Sequence, residues 1–135
     1  KVDSHYFTPV VKKKFKHLIK NDFAAFKNKR SLFAMTAHII FKDIDKENTV
    51  THSKKIIDII RNKIGFRNLL ISDDLSMKSL KGNIKENTIK TFNSGCNIVL
   101  HCNANFKEME IIGKNSPLIN KFIIKKTSQF YKILS

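Results

Sequence analysis

The chain has 135 residues, of which 41% are hydrophobic, and carries 26 Lys and Arg against 11 Asp and Glu, a net charge of +15 with a pI near 10. This length and apolar content suit one folded domain with a real core and exclude a disordered chain. No apolar run approaches the roughly 18 residues of a membrane span, so no membrane partner is expected. The charge invites a nucleic-acid partner, but it consists of 23 Lys against 3 Arg, and Arg is the residue suited to bidentate phosphate and base contacts. The lysines are scattered, the longest run being Lys12-Lys13-Lys14. Compositional drift toward Lys, Ile and Asn accounts for them, and a basic nucleic-acid-binding module is kept as the alternative reading. Cys96 and Cys102 form no CxxC pair, so no zinc site or redox motif is suggested and both are expected as reduced, buried thiols.

In chain order, Lys1 to Val11 contains Pro9, lacks a helical period and reads as a loop. Asp3 and His5 lie two apart within it, a spacing that projects both to one side of an extended segment. A carboxylate beside an imidazole fixes its tautomer and favours its charged form. Lys12 to Lys29 reads as a helix broken near Asn21-Asp22, with a core stripe of Phe15, Leu18, Ile19, Phe23 and Phe26. Leu32 to Phe41 is apolar except at Thr36 and His38 and reads as a buried parallel strand, with His38 a hydrogen-bonded core residue. Asp43 to His52 is loop-like. Ser53 caps a helix that runs through Ile64, buries Ile56, Ile57, Ile59, Ile60 and Ile64, and stops at Gly65. Leu69-Leu70-Ile71 then forms a short buried strand that meets two adjacent acids, Asp73 and Asp74. Acids at the carboxyl end of such a strand lie where α/β folds place their chemistry. They equally suit the cap of a following helix. Gly82 to Ser94 is a further helix with Ile84, Thr88, Ile89 and Phe92 on one face, Asn97 to Cys102 a further strand, and Phe106 to Ile112 and Leu118 to Leu134 a final helix pair parted by Pro117.

Strands alternating with helices at this spacing predict an α/β fold with a parallel sheet. The four glycines stand far apart, which argues against a phosphate-binding loop. Three strands leave two open edges, and a closed barrel of this type takes about 250 residues. The expected architecture is therefore the C-terminal part of a larger unit whose beginning is cut.

Three stretches carry a resemblance: Met35-Thr-Ala-His-Ile39, Gly65-Phe-Arg-Asn-Leu-Leu-Ile-Ser-Asp-Asp-Leu-Ser-Met77 and Gly95-Cys-Asn-Ile-Val-Leu-His-Cys-Asn103. With them the chain resembles the bacterial β-N-acetylhexosaminidases of glycoside hydrolase family 3, the cytoplasmic enzymes of peptidoglycan recycling. Val2-Asp-Ser-His5 followed by Pro9-Val10 resembles the family's mobile catalytic loop, and Asp22-Phe-Ala-Ala-Phe26 its Asp-aromatic-Ala-Pro-Phe segment, with Ala25 in place of proline. Asn97 stands where the family usually has Asp, and Val50 where a proline usually precedes the helix.

The resemblance implies a (β/α)8 TIM barrel, of which residues 1–135 would supply the last three strands as a partial domain lacking its N-terminal half. It implies Asp73 as nucleophile, His5 as general acid/base and Asp3 as the residue that orients His5. The implied reaction is retaining hydrolysis of terminal N-acetylglucosamine from muropeptides or other amino-sugar substrates, with no cofactor or metal. The missing N-terminal half is the implied partner, because the family's Lys-His-Phe-Pro-Gly-His-Gly segment is expected just before Lys1. The isolated piece is expected to be inactive, since catalysis depends on positioning. A non-catalytic remnant of the hydrolase is the other alternative.

Overall fold

Among the described residues, helix starts are set by side chains that satisfy otherwise orphaned amides, Asn105 accepting from the Glu108 amide and Asn120 from the Ile123 amide. The Ser53 hydroxyl accepts from the Ile56 amide and the Asn83 side chain from the Glu86 amide. The computed structural model describes Asp3, residues 6–27 and residues 30–134. Among these are five short strands, β1 (Val10–Val11), β2 (Phe33–Met35), β3 (Ile40–Phe41), β4 (Leu69–Asp74) and β5 (Ile98–Leu100), with helices between all but β2 and β3. The helices are α1 (Phe15–His17), continued by a π segment Leu18–Asp22 and a 3-10 segment Phe23–Phe26; a 3-10 turn Val50–His52; α2 (Lys54–Ile59), continued by a π segment Ile60–Ile64; α3 (Ile84–Ser94); α4 (Phe106–Asn115); and α5 (Lys121–Leu134).

The main sheet runs β2-β4-β5, all parallel, with Ala34 opposite Leu70 and Ile71 opposite Ile98. Successive βα units of this sheet thus lie side by side. Ile57, Phe66, Leu70 and Cys96 form the buried cluster between this sheet and α2, with Ala34 and Ile60 packed on it. The Arg61 guanidinium locks the bottom of the layer by donating to the Phe66 and Asn68 carbonyls and to Asn97 Oδ1 (2.7 Å). Asn97 Oδ1 also accepts the Leu70 amide. The amide at position 97 therefore keeps an acceptor for both donors where the expected residue was Asp.

Several sequence expectations are corrected. The strand expected over Leu32 to Phe41 is two strands in two sheets: β2 pairs with β4, whereas β3 pairs in parallel with β1, inside the segment read as a loop. Thr36 and His38 separate the two strands because their polar groups are bonded elsewhere in the interior. Helix α3 buries Asn87, Thr88, Thr91 and Ser94, and Ile89 is exposed. Small hydroxyl side chains suit this close contact, because Thr88 and Thr91 donate back to the Ile84 and Asn87 carbonyls and need no outside partner. Phe26 leaves the predicted core stripe and is exposed, while Phe23 is buried edge-on against Phe41 at 5.3 Å. Gly65 and Gly95 terminate their helices in left-handed conformations, φ +84 and +110.

Candidate active site at the carboxyl ends of the strands

Strand β4 delivers Ser72, Asp73 and Asp74 to the carboxyl edge of the sheet through an irregularity in its pairing. Ile71 stands opposite Ile98 and Asp74 opposite Leu100, so Ser72 and Asp73 face a single residue of β5. An extra residue of this kind re-aims the side chains around it. The buried Ser72 hydroxyl accepts the Leu100 amide at 2.9 Å.

The two acids are engaged differently. Asp74 Oδ1 accepts from the Ser76 amide (2.9 Å), the Ser76 hydroxyl (2.8 Å) and the Cys102 amide (3.1 Å), and its Oδ2 accepts the same hydroxyl at 2.7 Å. Asp74 thus closes an Asx turn and ties the end of β4 to the end of β5. Partial burial pushes its carboxyl up, but the Ser76 and Cys102 hydrogen bonds and the nearby His101 prevail and hold it below the usual carboxylate range. Asp74 does not cap the following helix, as the sequence allowed; Asn83 takes that place. Asp73 is half-buried, and its Oδ1 accepts the Asp74 amide at 2.9 Å.

His101 and Cys102 follow β5 at the same edge. His101 Nε2 lies 2.7 Å from Glu108 Oε2, which Asn103 Nδ2 also reaches at 2.8 Å. The His101 hydrogen bond, followed by that from Asn103, lowers the Glu108 carboxyl. Cys102 is exposed, contrary to expectation, because the strand ends before it. Slight desolvation and then the charges of Asp74 and Asp73 raise its thiol above the usual range. Cys96 is buried as expected, and burial pushes it up to about 11.

Of the other predicted site residues, His5 lies outside the described residues. The Asp3 carbonyl accepts the Tyr6 and Phe7 amides in a turn. The segment that follows is anchored beside the loop after Asp73: the Thr8 hydroxyl donates to the Ser79 carbonyl, and Lys78 Nζ lies 5.8 Å from the Tyr6 ring centroid. His38 is 1% exposed and hydrogen-bonded, as its position in an apolar run suggested. Thr36 and Thr51, which join it beneath the acids, were not identified from sequence. Thr36 showed only as an interruption of the apolar run, and Thr51 gave no local signal. No cluster of three or more His, Cys, Asp or Glu able to hold a metal occurs among the described residues.

The model of the glycosyl hydrolase family 3 N terminal domain matches residues 1–126. The chain belongs to this family. A beta-hexosaminidase of Nitrosomonas eutropha is 33% identical over 106 residues, 75% of this chain and 30% of the relative. Native NagZ from Neisseria gonorrhoeae superposes with a TM-score of 0.77 at 29% identity, covering 92% of this chain and 37% of NagZ. CbsA from Thermotoga neapolitana superposes with a TM-score of 0.80 at 26% identity, covering 99% of this chain and 34% of CbsA. The family 3 chain thus spans about a third of the length of these relatives, and its α/β fold of parallel strands and helices matches the family's barrel domain. No helix among its described residues is long and apolar enough to cross a membrane.

Proposed function

We propose that the chain is the C-terminal part of the barrel domain of a β-N-acetylhexosaminidase, the remaining strands being supplied by sequence outside these 135 residues. The substrate class is a glycoside with a terminal N-acetylglucosamine, and peptidoglycan fragments in the cytoplasm are the natural form we assign. One observation carries the choice of chemistry. Of two adjacent acids in a family 3 chain, Asp74 is consumed by three donor groups that tie two strand ends together. The carboxylate of Asp73, by contrast, has one oxygen fixed by the neighbouring amide, and the residue is half-buried at the sheet edge.

In this reading Asp73 attacks the anomeric carbon as the glycosidic C–O bond breaks, giving a glycosyl ester, and His5 donates its proton to the departing oxygen. Neutral His5 then takes a proton from water, whose oxygen displaces Asp73 and releases the sugar. Asp3 orients His5 and stabilises its imidazolium form, the role a carboxylate plays beside any histidine that shuttles a proton. The anchoring of Tyr6 and Thr8 beside Lys78 and Ser79 supports this role for the segment, since it ties the residues next to His5 to the loop that follows Asp73.

The test joins this chain to the part of Neisseria gonorrhoeae NagZ that precedes the region it matches and assays the folded fusion on a chromogenic N-acetylglucosaminide. Turnover is expected, Asp73→Asn abolishing it together with the trapped glycosyl-enzyme in mass spectra, and Asp74→Asn leaving measurable turnover. Ester formation in the Asp73→Asn fusion, or its loss only in Asp74→Asn, rejects the assignment. The unfused 135-residue chain is expected to show no turnover.

A further inference from the structure

Beneath Asp73 and Asp74 lies a buried polar group that the proposed chemistry does not use. Thr36 is 4% exposed, His38 1% and Thr51 0%. The Asp73 amide lies 3.3 Å from Thr36 Oγ1, Thr36 Oγ1 2.9 Å from Thr51 Oγ1, and Thr51 Oγ1 2.9 Å from His38 Nδ1. His38 Nε2 closes the path at 2.8 Å from the Asp74 carbonyl oxygen.

The acceptors assign the protons. A carbonyl only accepts, so His38 Nε2 carries hydrogen, and in the neutral ring Nδ1 is then an acceptor. Thr51 donates to Nδ1 and receives the Thr36 hydroxyl hydrogen, and Thr36 receives the Asp73 amide. Each member of this chain donates once in the same direction and none is left unsatisfied, which is the condition under which a buried polar network rigidifies its surroundings. The backbone is held on both sides of the nucleophile, at the amide of residue 73 and the carbonyl of residue 74. Between these points lies the Asp74 amide that fixes the Asp73 carboxylate. Thr51 is itself anchored, its carbonyl accepting the Ser94 hydroxyl at the end of α3.

We propose that Thr36, Thr51 and His38 are positioning residues that set the direction of the Asp73 carboxylate through this one-way hydrogen-bond chain. The inference rests on Asp73 being the nucleophile, and its test has one arm independent of that reading. In the isotope-labelled chain at neutral pH, nitrogen NMR is expected to show His38 as the Nε2–H tautomer with a slowly exchanging ring hydrogen. Thr51→Val is expected to abolish that protection and to shift the Asp73 and Asp74 amide resonances, whereas Thr51→Ser preserves both. An Nδ1–H tautomer, or equal effects of Ser and Val, overturns the proposal whether or not the protein has activity.

In the active fusion, Thr51→Val and His38→Leu are expected to lower kcat by about 10- to 100-fold, the cost of a small misplacement of a reacting group, with KM unchanged within about threefold. Thr51→Ser is expected to retain kcat. Equal losses for Ser and Val, or a change confined to KM, overturn the positioning role. If the unsubstituted fusion is folded but inactive, the glycosidase reading fails and the NMR arm alone decides the network.

Discussion

At the residue scale, adjacency does not make Asp73 and Asp74 equivalent. Asp74 holds the ends of β4 and β5 together, and its carboxylate lies close enough to Cys102 to oppose ionisation of the thiol. The two cysteines therefore differ in access but share a suppressed thiolate, the reactive form. Under maleimide or iodoacetamide at mildly alkaline pH, Cys102 is expected to be alkylated more slowly than a free cysteine, and Cys96 only after denaturation. Asp74→Asn is expected to accelerate Cys102, because it removes a neighbouring negative charge. Peptide mass mapping over time checks this, and labelling of Cys96 in the folded chain contradicts its burial. The resemblance singled out Asp73 as nucleophile, but the sequence could not show what engages Asp74, because one of its donors, the Cys102 amide beyond β5, lies 28 residues away.

At the element scale, helix ends were the most legible features, because a cap is a local device. Ser53 and Gly65 bound the α2 segment as expected, and Gly95 ends α3. Gly95 carries two demands at once. Its φ of +110 disfavours any side chain, and a Cβ there would lie 3.0 Å from Ile57 Cγ2 in the core cluster. Gly95→Ala is therefore expected to cost more than about 1 kcal/mol. Gly113→Ala in α4 meets nothing within 4 Å and is expected to stabilise by about 0.5–1 kcal/mol. Urea midpoints of the two variants should move in opposite directions, and a shared sign would refute the contact argument. The face of α3 was less legible. Hydrophobic spacing pointed to Ile89, yet the side chains that are buried are the small polar ones, Thr88 and Thr91 among them, whose hydroxyls bond to their own helix.

At the scale of the whole molecule, charge and exposed apolar surface set the behaviour. The ion pairs Lys13–Asp22, Lys54–Asp58 and Lys114–Glu110 are exposed and spread along the chain; pairs of this kind add little stability. Phe106, Leu118, Ile119, Tyr131 and Ile133 are all more than two-thirds exposed on or beside α4 and α5. With the outer edges of β2 and β5 unpaired among the described strands, the 135-residue chain alone is expected to self-associate. Light scattering that shows a monomer at tens of micromolar would contradict this. Acid sensitivity has an identifiable contributor in His52. Burial, then repulsion from His38 once that ring is also protonated and from the Lys90 ammonium, lowers its pKa from 6.5 to about 4. Because the unfolded state binds the proton first, stability is expected to fall as pH drops from 6.5 to about 4 and to stop falling through this group below that. His52→Gln should flatten that part of the profile in denaturant titrations.

The sequence by itself determined the alternation of strands and helices, the capped ends of α2, the burial of His38 and the family, because periodicity, caps and contiguous motifs are local. The tertiary structure decided the rest. It divided Leu32 to Phe41 between two sheets, since strand partners are chosen by distant residues. It exposed Cys102 by ending β5 early and engaged Asp74 with the Cys102 amide. It also joined Thr36, His38 and Thr51 into one hydrogen-bond chain under Asp73, because a buried donor takes whichever acceptor the fold brings within reach.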